Sequence, residues 1–292
     1  MVDAGLIAIK LLLGLAAFLV VSYVGKAHDK RIAGVLLTFP ILNGIGMLTG
    51  ADPLAVAQSI YPLVIFNSLL FYAAITWGDA WPFAPATSPD RTLLVRLVAW
   101  TAIWLAGALV LTLLHDRLPG ATAFFSIALV LAVVVAIGGW TKPSIESPTE
   151  RDGHVANFVA LWSTPDAAKR IALFLVCFAI VLVASYAFAS KWVGMASALP
   201  LPGLFALATL SALEPPKRLC PIRDTVLLGP LLVIPFNWLL ARAVLQLPGG
   251  LLLHAALGVV ITLAFWAIAG TLVIFGVPAL AAQFDRWRGT ER

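Results

Sequence analysis

Two asparagines, Asn67 and Asn237, sit in apolar runs of matching pattern, Val64-Ile-Phe-Asn67 and Ile234-Pro-Phe-Asn237. A carboxamide offers two N–H donors and an acceptor oxygen. In hydrocarbon such a group needs a partner, either another helix or a polar solute. Two prolines recur in the same way. Gly34-Val-Leu-Leu-Thr38-Phe-Pro40 leads to Asn43-Gly44-Ile-Gly46, and Gly194-Met-Ala-Ser-Ala-Leu-Pro200 leads to Pro202-Gly203. Proline inside a helix removes a backbone hydrogen bond and clashes with the preceding turn. The freed groups are tolerated at membrane depth only where protein or a polar cavity receives them. The chemistry these residues suit is hydrogen bonding of a small polar solute. Asn67 and Asn237 supply amides, Pro40 and Pro200 open the backbone, and Gly34, Gly44, Gly194 and Gly203 allow close approach. Thr38, Asn43, Gln58 and Tyr61 complete the candidate set. The blander alternative is that the prolines shape packing and the asparagines glue helices together.

Bond-making chemistry is not written here. The four histidines (His28, His115, His154, His254) are scattered, and no His-Glu-x-x-His or Cys-x-x-Cys spacing occurs. A Gly-x-Ser-x-Gly elbow and a phosphate-cradling glycine loop are also missing. The expectation is a protein that is not an enzyme and needs no metal or cofactor. Cys177 and Cys220 read as two free thiols rather than a disulfide.

The elements that must hold these residues are membrane helices. Of 292 residues, 61% are hydrophobic and 11% charged. A soluble domain carries roughly a quarter charged residues. Apolar stretches long enough to cross a bilayer recur along the whole chain. Spans are expected at about 4–24, 32–50, 54–77, 92–114, 121–140, 169–189, 194–213, 225–246 and 250–280. Residues 4–24 read as a retained first span, because Met1 to Lys10 lacks the early basic residues of a signal peptide. Residues 250–283 read as one long tilted helix. A tenth span over 276–287 is the alternative, but it would export the Arg-rich tail.

The chain is also written twice. Asp3-Ala4 and Ser22-Tyr23 answer to Asp166-Ala167 and Ser185-Tyr186 in one register. The glycine–proline elements and the Asn-bearing spans repeat after them. Lys26, Lys30, Arg31, Arg91, Lys142, Arg151, Lys169, Arg170, Lys217, Arg218, Arg223, Arg286, Arg288 and Arg292 fall on one face of a nine-span chain. Little beyond Arg117 and Lys191 falls on the other. Basic loops mark the cytoplasm. The N-terminus is therefore expected outside and the C-terminus inside, with the second copy inserted upside down. The basic residues need no nucleic-acid partner. Lys10, Arg96, Arg242 and His254 lie in or near spans, and no Asp or Glu occupies the middle of one. Arg96 and Arg242 read as side chains that snorkel to an interface.

The expected fold is thus an all-α polytopic membrane protein of about nine helices, with an inverted repeat and helices broken by proline and glycine. Its parts are 1–140, the first copy plus a linking span, then a cytoplasmic linker over 141–168, and the inverted second copy over 169–292. Inverted duplication is the usual build of a secondary transporter. The expected function is transport or export of a small neutral or anionic solute across a bacterial inner membrane. The alternatives are a membrane subunit that binds a partner protein or lipid, and a lipid flippase or channel. Oligomeric state and coupling ion are not legible.

The run Ile32-Ala-Gly34-Val-Leu-Leu-Thr-Phe-Pro40, preceded by Arg31, resembles the signature of small bacterial inner-membrane proteins of the GlpM type. The second copy keeps Gly194 and Pro200 but has Leu199 where the aromatic stands. The resemblance implies two such units fused head to tail through a linking span.

Overall fold

The computed structural model describes residues 12, 15, 19, 34, 37, 53–76, 89–115, 130, 168, 171, 172, 174–176, 179, 195, 198–213, 219–246, 260, 264, 268, 271 and 276. Five helices follow in chain order: α1 Pro53–Thr76, α2 Pro89–His115, α3 Leu201–Leu213, α4 Cys220–Val226 and α5 Gly229–Gln246. No strand occurs among the described residues. Helices α1 and α2, of 24 and 27 residues, run about 36 and 40 Å at 1.5 Å per residue. Both are long and apolar enough to cross a membrane, and Leu201–Ser211 of α3 is a shorter apolar helix. The described part is all-helical and compatible with a helical membrane protein.

The expected span 225–246 divides in the structure into α4, a turn at Leu227-Leu228, and α5. Its cause is Pro230, which has no N–H to give to the carbonyl of Val226. The chain instead closes a tighter turn, in which the Leu228 N–H bonds the Thr225 carbonyl at 3.0 Å. Likewise, the expected span 194–213 is interrupted. Ala198 is helical, Leu199 and Pro200 are not, and α3 begins at Leu201. The helix restarts when the Leu204 N–H bonds the Pro200 carbonyl at 2.8 Å.

Helix α1 is the hub. Its broadest packing is with α5; α2 and α4 also lie on it, and α2 packs broadly on α3. Tyr61, Phe71, Trp100, Trp104, Phe205 and Phe236 are fully buried there. Phe174, outside the five helices, meets Phe205 edge-on with ring centroids 5.3 Å apart. Gly107 of α2 lets the Phe66 ring of α1 lie directly against its backbone, where a Cβ would collide with that ring. The faces of α2 differ sharply. Leu93, Leu97, Trp100, Trp104 and Ala108 recur every three or four residues and are buried. Leu94, Val98, Leu105, Leu109 and Leu113 are exposed. An apolar face of that extent suits contact with lipid rather than water.

Candidate functional site

Asn67 lies past the middle of α1 and is buried, with 5% of its surface exposed. Its Nδ2 donates to the carbonyl of Ala198 at 3.1 Å, and its Oδ1 accepts from the indole Nε1 of Trp104 on α2. The sequence explains why Ala198 needs that donor. A continuous helix would pair its carbonyl with the N–H four residues on. That residue is Pro202, which has none. One amide thus receives the carbonyl that a proline leaves over, and is itself held by Trp104. Asn67 joins α1, α2 and the break ahead of α3.

Asn237 is placed differently. It sits at the middle of α5 and is completely buried. Val233, Ile234, Leu240 and Ala241, the helical neighbours three and four residues away, are buried with it. Neither its Nδ2 nor its Oδ1 has a hydrogen-bond partner among the described residues. Pro235 stands two residues earlier inside α5 and removes the N–H that the Leu231 carbonyl would otherwise take. Helix α5 therefore carries both a proline that removes a backbone donor and an amide unengaged among the described residues.

Helices α1 and α5 run antiparallel. The Arg223 guanidinium, just ahead of α5, stands 5.9 Å over the Tyr72 ring near the end of α1. Arg242, late in α5, lies within electrostatic reach of Tyr61, early in α1. Asn67 lies six residues past Tyr61 and Asn237 five before Arg242, so both amides fall in the central part of this antiparallel pair.

Gly34 and Gly203 of the candidate set face protein. A Cβ on Gly34 would meet the Thr225 hydroxyl and the Ile222 carbonyl of α4. A Cβ on Gly203 would lie 2.6 Å from the Leu37 carbonyl and 2.9 Å from the Phe71 ring. Gly203 thus brings the start of α3, the backbone at the helical residue Leu37 and α1 to one point. Pro200 lies in the non-helical break. Tyr61 is fully buried and Gln58 half-buried on α1. Pro40, Gly194, Thr38 and Asn43 lie outside the described residues, as do Gly44, Lys10, Cys177 and His254.

Two hydroxyls of α1 are used locally. Ser59 Oγ donates to the Val56 carbonyl at 2.8 Å and Ser68 Oγ to the Val64 carbonyl at 3.2 Å. These hydroxyls serve their own helix. The Thr209 hydroxyl of α3, by contrast, is buried with no partner among the described residues.

Arg242 is exposed and stacks 5.6 Å over the Trp238 ring, in keeping with an interfacial position. Arg96 does not snorkel. It is buried with 3% of its surface exposed, and its Nη1 donates to the Ser211 carbonyl at 2.6 Å. The last carbonyls of a helix lack internal donors and carry the negative end of its dipole, and the end of α3 is turned toward α2 there. Arg96→Met leaves that carbonyl without this donor. A loss of about 1.5–3 kcal/mol is expected for a charged hydrogen bond. Thermal melting of the purified protein checks it, with Arg96→Gln, which keeps a donor, melting between the two. Cys220, at the start of α4, forms no disulfide among the described residues.

Comparison with protein-family models, curated proteins and solved structures yields no match. The site therefore stands on its own geometry. Sequence reasoning missed Trp104 and Pro235 as parts of it, and it named Pro202 without seeing that this residue strips the Ala198 carbonyl of a donor. The prolines were visible: each one four residues after a carbonyl marks an acceptor needing another donor. Trp104 carried no such signal, since its pairing with Asn67 spans 37 positions.

Proposed function

We propose that the chain is a small secondary transporter or exporter of a polar solute, neutral or anionic, in a bacterial inner membrane. Nine spans form two copies of opposite orientation, residues 1–140 and 169–292, around a cytoplasmic linker over 141–168. On this reading each copy is a unit of the kind the GlpM-type resemblance implies. The solute binds near the midplane where the copies meet, and one copy rocks against the other to alternate access.

The observation that carries this reading is Asn237. Its amide is completely buried at mid-helix with neither polar atom engaged among the described residues. Leaving both ends unmade costs on the order of 2–6 kcal/mol, and a buried group left so calls for an explanation, which a bound solute supplies. Three contacts agree with the proposed topology. Opposite insertion requires α1 and α5 to be antiparallel, as Arg223 over Tyr72 and Arg242 near Tyr61 have them. The Arg96–Ser211 bond joins the start of α2 to the end of α3, and both ends fall on the cytoplasmic side of that topology.

Thermal melting of the purified protein against polyols, sugar phosphates, organic acids, amino acids and ions tests the reading. A ligand of the native state at ten times its Kd adds about 1.4 kcal/mol. One solute class raising the melting point supports transport. A folded protein that no class stabilises favours the second reading, a membrane subunit that presents its surface to a partner protein or lipid. The observation on that side is Asn67, whose amide ties helices together.

A further inference from the structure

We propose that the two copies have divided their asparagines between two tasks, and that the solute is neutral. Asn67 is a brace and Asn237 is the solute-binding group. The solute is a small uncharged molecule that presents a donor and an acceptor together, as a carboxamide or a polyol does. This inference rests on the transporter reading and narrows it.

The division follows from one residue. With Gly34 matched to Gly194 and Pro40 to Pro200, the position of Pro202 is held in the first copy by Leu42. Pro202 strips the Ala198 carbonyl of its helical donor, and Asn67 supplies one at 3.1 Å. Leu42 keeps its N–H, so the matching carbonyl, that of Thr38, has a donor available in its own chain. Asn237 is then left without the duty that occupies Asn67. The structure agrees: one amide is engaged at both ends, while the other, equally deep, has neither atom engaged among the described residues. Pro235 adds an opened carbonyl, that of Leu231, on the same helix as Asn237.

Neutrality follows from what surrounds the amide. Helix α1, which packs broadly on α5, contains no charged residue, and α5 contains Arg242 alone; Arg223 of the neighbouring α4 stands over Tyr72 near the end of α1. Arg242 is exposed and stacked on Trp238. A charged solute beside Asn237 would find no buried countercharge on α1 or α5 in a setting of low polarity, and burying an uncompensated charge is costly. A neutral solute that accepts from Nδ2 and donates to Oδ1 satisfies both ends of the amide.

The test uses the full chain in lipid nanodiscs, as wild type and as Asn237→Leu. Melting points are measured with acetamide, urea, glycerol and erythritol, and separately with acetate and inorganic phosphate. Counterflow of the same solutes is followed in proteoliposomes. The expected result is a rise of several degrees with at least one neutral probe, none with the anions, and loss of the rise in Asn237→Leu. Without solute, that variant melts at or above the wild type, because it sheds an unengaged buried amide. A rise with the anions, a rise that survives Asn237→Leu, or silence from all four neutral probes overturns the proposal. So does an Asn237→Leu protein that melts far below the wild type without solute, since the amide would then be a brace. Counterflow that survives Asn237→Leu overturns the site and keeps transport. Binding lost in the variant, with no counterflow in the wild type, overturns transport and keeps the site.

Discussion

Asn67→Leu lowers stability by about 2–6 kcal/mol, the largest loss expected from a single side chain here. The substitution is close to isosteric, so packing is nearly conserved. Two groups lose their partners at once: the Ala198 carbonyl, which accepts from Nδ2 at 3.1 Å, and the Trp104 indole N–H, which donates to Oδ1. Each buried group left unsatisfied costs about 1–3 kcal/mol. Thermal melting of the purified protein measures the sum, and two companion variants assign it. Trp104→Phe removes only the indole N–H, so its loss is smaller, and in the Asn67→Leu background it costs less than in the wild type. Pro202→Ala restores an N–H four residues past Ala198. In the Asn67→Leu background it recovers about 0.5–1.5 kcal/mol, the net value of one hydrogen bond. Equal losses for Asn67→Leu with and without Pro202→Ala would show that the proline is not why the amide is needed.

Gly34→Ala is the second large effect. An added methyl would fall on the Thr225 hydroxyl and on the Ile222 carbonyl, the latter being backbone of α4. A hydroxyl can rotate away, but a backbone carbonyl moves only with its helix. Overpacking of this kind costs about 1–3 kcal/mol, while alanine returns up to about 1 kcal/mol of helix propensity. The balance is a net loss. Gly34→Ser, larger still, loses more. The check is a melting series of wild type, Gly34→Ala and Gly34→Ser beside Thr225→Ala. The last variant removes the nearest atom, so Gly34→Ala is less harmful when combined with it. A Gly34→Ala protein as stable as wild type would release this glycine from packing and return it to the solute site.

Two of the nine expected spans were legible as long apolar helices, because hydrocarbon would permit so few backbone states. Every N–H and C=O at membrane depth must be satisfied inside the chain, so a long apolar run with no charge reads directly as a helix. The span expected at 54–77 is α1 at Pro53–Thr76, and that at 92–114 is α2 at Pro89–His115. The break at Pro200 was legible for the same reason, since proline lacks the donor that a helix requires. The turn between α4 and α5 was equally available in Pro230 but was hidden under a continuous hydropathy signal.

What the residues determined by themselves, then, is where helices run, where they break and which carbonyls lose a donor. Those are local properties, set within four residues of each proline. Tertiary structure decided which polar groups are used up. Asn67 and Asn237 look alike in sequence, but their difference lies in partners far along the chain, Ala198 for one and none among the described residues for the other. Arg96 and Arg242 likewise read as the same snorkelling cation. The end of α3 turns one inward to Ser211, and Trp238 holds the other at the surface. A hydrogen bond is settled by what comes within about 3 Å, and for these groups only the packing of distant helices brings that neighbour into reach.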